Sequence, residues 1–222
     1  MAIIINLDST LETASVSIAK DGLILMQQSN TVQKEHAAFL HSSIKNMLVK
    51  LNISINNIDA IATTIGPGSY TGLRVCLAAA KGLCYALNKP LVTIGTLEAM
   101  AKTAILNNIC DEESLFCPMI DARRMEVYTA LYNKNLEEII TPHAEIINEQ
   151  FCATFLKNNK VIFLGNGIEK FKNIASSTNA TFQQYLKITE AINLLSYDKF
   201  CGENFADIVT SSPLYTKEFY NL

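Results

Sequence analysis

The stretch "IGPGSYTGLRVCLAAAKGLCYAL", residues 65–87, decides the fold. The strand "IDAIATTIG" (58–66) runs into a glycine-rich turn, and the turn opens a helix from about Thr71 to Leu87. Ser69 or Thr71 can cap its first turn. Asn88 can take a left-handed cap, and Pro90 cannot continue the helix. The loop Gly66-Pro67-Gly68-Ser69-Tyr70-Thr71-Gly72 lacks the lysine of a P-loop and does not read GxGxxG. Its free N–H groups and the positive helix end suit an anion. A rigid strand-to-helix corner accounts for the glycines equally well.

The helix itself says more. Gly72, Cys76 and Ala80 form one row at four-residue spacing, and Ala78, Gly82 and Ala86 form another. Such rows let a second helix approach closely. Leu73, Val75, Leu77, Leu83, Tyr85 and Leu87 add apolar surface, leaving Arg74 and Lys81 as the charged positions. A helix apolar on every side is normally buried on every side. One face is expected to meet the home sheet and a helix at 35–51, and the other a partner. The alternative is a helix wholly internal to a monomer.

Working outward, "AIIINLD" (2–8) reads as a buried strand, and "ASVSIAKDGLILMQQ" (14–28) as two strands around an Asp21-Gly22 turn. In "KEHAAFLHSSIKNMLVKLNI" (34–53), Ala37, Leu40, Ile44, Met47 or Leu48, and Leu51 recur at helical spacing. "PLVTIG" (90–95) is a fifth strand, and "TLEAMAKTAIL" (96–106) a helix with Thr96 as its expected N-cap. The second half opens similarly. "SLFCPMIDA" (114–122), "RRMEVYTALYN" (123–133) and "LEEIITPHAEII" (136–147) read as three strands, followed by a helix near 148–157, the strand "KVIFLG" (160–165) and further helices. Two βββαβα beginnings predict an α/β, two-lobed, actin-like (ASKHA, ribonuclease-H-like) fold with mixed sheets. The expected lobes are 1–106 and 107–222, divided in "NNICDEES" (107–114), with the last segment packing back on the first lobe.

At 222 residues, 49% of them hydrophobic and 18% charged, the chain has a compact globular composition. Its net charge of -3 is not that of a protein that grips nucleic acid alone. A partner would therefore supply much of the positive field for any RNA. "MAIIINLD" is too short for a signal-peptide core, and no stretch is long enough to span a membrane, so a cytoplasmic location is expected. The six cysteines show no CxxC pair or zinc-like spacing, and read as reduced and structural. His36 and His41, five residues apart, lie roughly 140° apart on a helix and cannot share an ion. His143 has no acidic or thiol company at ligand spacing.

The second chemical concentration is "MIDARRMEVY", 119–128. The chain's only three arginines, beside 15 lysines, are Arg74, Arg123 and Arg124, all within these two motif stretches. Arginine suits bidentate contact with carboxylate or phosphate. Asp121 with Arg123 can be a ligand contact or a pair stapling a hairpin. Asp8, followed by Ser9 and Thr10, ends the first strand where an actin-like fold places phosphate; an Asp-Ser-Thr turn is also common in its own right. Candidate nucleotide or anion contacts are thus Asp8, Gly66, Gly68, Ser69, Thr71, Gly72, Asp121 and Arg123.

Together "GPGSYTGLRVCLAAAKGL", "IDARRMEVY", "IINLDST" and "PLYTKEF" resemble the TsaB (YeaZ-type) family, once grouped with glycoproteases, over residues 3 to 219. The chain departs from it at Cys76, where glycine is usual, at Asp8-Ser9-Thr10 in place of DTST, and at Thr216-Lys217 in place of Leu-Arg. The resemblance implies a non-catalytic scaffold subunit for threonylcarbamoyl modification of the adenosine next to the anticodon, in tRNAs reading codons that begin with A. It implies a heterodimer with a catalytic paralogue, TsaD, and recruitment of the ATPase TsaE. It implies tRNA contact through that complex, and an exposed apolar face on the helix predicts a homodimer when the chain is isolated. Thr96 and Met100 fall where that paralogue carries its metal-binding HxxxH histidines, so no metal and no catalytic residue is expected here. The expected partner-binding residues are His36, Leu40, Arg74, Cys76, Leu77, Ala80, Leu83 and Cys84. No tightly bound cofactor is expected, ATP or ADP being admitted at a site shared with the partner. The competing reading is a self-sufficient nucleotide-dependent enzyme or a metallopeptidase-like hydrolase.

Overall fold

The structure, a computed structural model, describes residues 1–32, 36–107, 113–184 and 187–216. The chain divides into two compact units: residues 1–96 with 189–214, and residues 97–188 with Tyr215 and Thr216. The sequence reading divided the chain at 106/107; instead the helix 96–106 falls in the second unit from Leu97 onward, and residues 189–214 belong with the first.

In the first unit, β1 (Ile3–Asp8), β2 (Ala14–Lys20), β3 (Leu23–Asn30), β4 (Ala60–Gly66) and β5 (Leu91–Gly95) form a sheet in the order β3-β2-β1-β4-β5. The β1–β2 and β2–β3 pairs are antiparallel, and β1–β4 and β4–β5 are parallel. The β2–β3 turn is tight because Asp21 and Gly22 both take positive φ, 52° and 80°. Helices α1 (His36–Leu51) and α2 (Tyr70–Leu87) pack together on one face, where Ile5, Leu7, Val16, Ile18 and Ile61 point. Central strands covered on both faces read as near-continuous apolar runs, as "IIINL" does.

The other face is covered by a helix from the far end of the chain, Thr189–Cys201, which we number α6. Its Asn193 is fully buried. Its Oδ1 accepts from Asn6 Nδ2 at 2.7 Å and Ser17 Oγ at 3.0 Å, and its Nδ2 donates to Thr189 O at 2.6 Å. A buried amide so satisfied fixes the helix on the sheet at one register.

The second unit repeats the pattern. After α3 (Thr96–Leu106) come β6 (Leu115–Asp121), β7 (Glu126–Tyr132), β8 (Glu138–Ile146), α4 (Ala153–Leu156), β9 (Val161–Leu164), α5 (Glu169–Lys172) and β10 (Ala180–Gln183). The sheet order β10-β9-β6-β7-β8, with β6–β7 and β7–β8 antiparallel and β6–β9 and β9–β10 parallel, is that of the first sheet. This duplicated mixed sheet is the actin-like, ribonuclease-H-like class expected. Phe151, Phe163, Phe171 and Phe182 cluster in its core, with ring centroids 4.9–6.1 Å apart. The helix expected at 148–157 is the single turn α4, and β10 lies where only helices were expected. Thr96 caps nothing: it is the first residue of α3, and its buried hydroxyl has no hydrogen-bond partner.

Candidate functional site

Asp8 ends β1 and is 5% exposed; Ser9 and Thr10 are sealed. The Asp8 Oδ1 accepts from the Thr10 hydroxyl at 2.6 Å, the Thr10 N–H at 3.1 Å and the Thr64 hydroxyl at 2.7 Å. Ser69 is the N-cap of α2, its Oγ accepting from Gly72 N at 3.3 Å, and its own N–H donates to Thr10 O at 2.8 Å. Two of the three glycines here, Gly68 and Gly72, are needed for close approach. A Cβ on Gly68 would sit 2.4 Å from Thr10 O, and one on Gly72 only 1.8 Å from Ser9 O. Asp8, Gly66, Gly68, Ser69, Thr71 and Gly72 therefore do come together, but the chain's own Ser9-Thr10 backbone fills the glycine cradle. Ser69 and Thr71 remain exposed at its edge, while Asp8 is committed to the corner. The loop is a rigid strand-to-helix joint.

This joint sets the rotation of α2. With Gly72 pressed on Ser9, the row Gly72, Cys76, Ala80 and Cys84 faces inward and is buried with Leu73 and Leu77. The second row, Ala78, Gly82 and Ala86, faces outward and is exposed, with Tyr85 beside it at 84%. Five of the expected partner contacts, Leu40, Cys76, Leu77, Ala80 and Cys84, are thereby corrected: they pack in the chain's own core among α1, α2 and the sheet. Spacing alone made the two rows equivalent, and only the backbone contact at Gly72 distinguishes them. Leu83 is half-buried, and Arg74 is exposed with its guanidinium 4.1 Å from the Tyr70 ring centroid. The His36 side chain and Lys217 lie outside the described residues. Burial pushes the Cys76 thiol well up, helped by the charge of Asp8, and raises Cys84 to about 11.

In the second unit Asp121 ends β6 and staples the hairpin to β7. Its N–H donates to Asn166 Oδ1 at 2.9 Å. Its Oδ1 accepts from Arg123 N at 2.6 Å and Lys170 Nζ at 2.8 Å, and Lys170 Nζ also donates to Glu126 O at 2.7 Å. Partial burial pushes the Asp121 carboxyl up, but the Lys170 hydrogen bond, the Arg123 N–H and the Lys170 charge together hold it below its usual range. The staple thus uses the Arg123 backbone and a lysine, not a guanidinium. Arg123 and Arg124 have φ of 71° and 47°, a conformation that costs a non-glycine residue about 1–2 kcal/mol. Both are exposed, and among the described residues neither guanidinium has a hydrogen bond or ion pair.

The sequence reading missed a hollow of about 300 Å³ in this unit, lined by Cys117, Thr129, His143, Glu145 and Cys152 among others. His143 does have acidic company: its Nε2 lies 3.4 Å from Glu145 Oε2 across the β8 pleat. The residues come from three strands and a loop, so no local spacing announces them. Among the described residues no cluster of three or more His, Cys, Asp or Glu side chains could hold a metal. Thr96 and Met100 are buried. No helix of the described residues is long and apolar enough to cross a membrane.

Residues 27–210 match the profile of the family described as TsaD, tRNA N6-adenosine threonylcarbamoyltransferase. The chain is 30% identical over 181 residues to a tRNA threonylcarbamoyladenosine biosynthesis protein TsaB of Buchnera aphidicola subsp. Baizongia pistaciae, covering 76% of this chain and 80% of that one. It is 25% identical over 181 residues to the protein of the same description from Bacillus subtilis, covering 80% and 77%. A solved structure from Pseudomonas aeruginosa, described as similar to the peptidase YeaZ, superposes with a TM-score of 0.79 at 22% identity, covering 98% of this chain and all of that one. That likeness speaks to the fold.

Proposed function

This chain belongs to the TsaB members of the TsaD family and takes part in threonylcarbamoyladenosine biosynthesis in tRNA; we propose that it does so as a non-catalytic scaffold subunit. It pairs with a TsaD-like catalytic paralogue, which carries the carbamoyl transfer, and helps recruit a TsaE-like ATPase in the cytoplasm. The observation that carries this reading is the outward flank of α2. Ala78, Gly82 and Ala86 form an exposed row of small residues beside Tyr85, while the matching inward row is sealed. Small residues at four-residue spacing admit a partner helix at short range, and Tyr85 supplies a large apolar anchor. A second copy would cover the same flank when the chain is isolated. The proposal includes no resident metal or tightly bound cofactor.

Co-purification with the paralogue tests the contact. Gly82→Arg and Ala78→Glu leave the fold intact, because a Cβ on Gly82 meets nothing within 4 Å and Ala78 is exposed. Both variants should lose the partner. Pairing that survives both substitutions refutes the contact. Depletion of the chain should lower the modified nucleoside, read by mass spectrometry, and undiminished levels refute the function. ATP turnover by the chain alone, lost in Asp8→Ala, would restore the enzyme reading.

A further inference from the structure

We propose that the Arg123-Arg124 hairpin tip is a phosphate-backbone contact for tRNA, contributed by this chain to the assembly; the proposal rests on its being a subunit of a tRNA-modifying complex. The first support is electrostatic. Of the two flanking acids, Asp121 is occupied by Lys170 at 2.8 Å and by the Arg123 N–H, and Glu126, two residues after Arg124, makes no ion pair with either guanidinium among the described residues. Arg123 and Arg124 are exposed and make no ion pair among the described residues. The third arginine, Arg74, lies over Tyr70, leaving this tip as the chain's concentration of free guanidinium.

The second support is conformational. Both arginines hold left-handed backbone, φ 71° and 47°, where asparagine or glycine would sit more easily. The residue type is the one that forks onto phosphate oxygens. The third support concerns shape. Mononucleotide ligands are buried in clefts, yet neither arginine lines the hollow of this unit, and Met125 beside them is 46% exposed. An exposed pair of guanidinium groups on a hairpin fits the outside of a polyanion. With a net charge of -3 the chain offers this as a local contact, adding to a field supplied by its partners.

The test uses the assembled complex, with tRNA binding measured across a salt series for wild type and for Arg123→Asn/Arg124→Gly. Both replacements tolerate the left-handed backbone, so thermal stability should equal or exceed wild type. The expected result is a roughly tenfold or greater loss of tRNA affinity, with the slope of log K against log salt reduced by about 2. Unchanged affinity and slope overturn the proposal. Loss of ATP binding with tRNA binding intact assigns the tip to a nucleotide and overturns it, and loss of subunit assembly assigns it to a protein and does the same. Depletion of the chain is read separately: modified nucleoside that disappears on depletion while the variant binds tRNA normally sinks this contact alone.

Discussion

Alanine at two glycines of one helix should move stability in opposite directions. At Gly72 the new Cβ would sit 1.8 Å from Ser9 O and 2.9 Å from Ser9 Oγ. Ordinary contact requires about 3.5 Å, so α2 must retreat by roughly 1.5 Å from a backbone oxygen that cannot rotate away. That retreat loosens Leu73 and Cys76, both buried, and stretches the 2.8 Å bond from Ser69 N to Thr10 O. Overpacking at the upper end of its usual range, about 3 kcal/mol, plus about 1 for the hydrogen bond, less about 1 gained in helix propensity, leaves Gly72→Ala destabilised by about 3 kcal/mol. At Gly82 the Cβ meets nothing within 4 Å, so only the propensity gain of about 1 kcal/mol remains. For a chain of this size the two variants should differ by on the order of 10 °C in Tm. Thermal unfolding followed by circular dichroism reads this directly. Two shifts of the same sign, or a destabilised Gly82→Ala, would refute the assignment of inward and outward rows.

Asn193→Leu should cost about 2–4 kcal/mol in denaturant unfolding, because Asn6 Nδ2 and the Ser17 hydroxyl lose their buried acceptor. The Asp121 carboxyl, held below its usual range in the folded chain, contributes stability that is present above about pH 4 and lost as pH falls through the depressed value. Asp121→Asn should flatten that part of an acid titration of stability, and an unchanged titration contradicts the Lys170 staple. Among the described cysteines, exposed Cys201 should be alkylated first in the native chain, with buried Cys76, Cys84 and Cys117 protected until unfolding; peptide mapping would show the order.

Local chemistry made some of this legible and not the rest. Asp21-Gly22 between alternating runs predicts the β2–β3 turn, and Asn88 at φ 51° is the left-handed cap expected of an asparagine before Lys89-Pro90. Except for β10, the strands of both sheets follow from apolar runs and alternation, and their duplication gives the fold. Helix α6 was less visible because its buried face carries Asn193 and Ser196, polar residues satisfied by partners far along the chain or within their own turn. The Asp121 staple was half-visible. Its hairpin role could be read, but not that Lys170, 49 residues away, would take the carboxylate. His143 and Glu145 share a face because strand periodicity is two, a spacing outside the helical one applied to ligands.

The glycine loop and the partner flank are one device. A helix turns about 100° per residue, so a slip of one residue at its start would carry the inward row of α2 away from the sheet. Gly68 and Gly72 prevent that slip, since only residues without a Cβ let the loop and the first turn close on Thr10 O and Ser9 O. The loop that reads as a phosphate cradle would therefore act on the proposed pairing at a distance. By pinning Gly72, it holds Ala78, Gly82 and Ala86 toward solvent at the far end of the same rigid rod. Gly72→Ala should consequently weaken pairing with the paralogue even though Gly72 is buried and touches no partner. A Gly72→Ala chain that is destabilised but pairs at full strength would separate the corner from the interface.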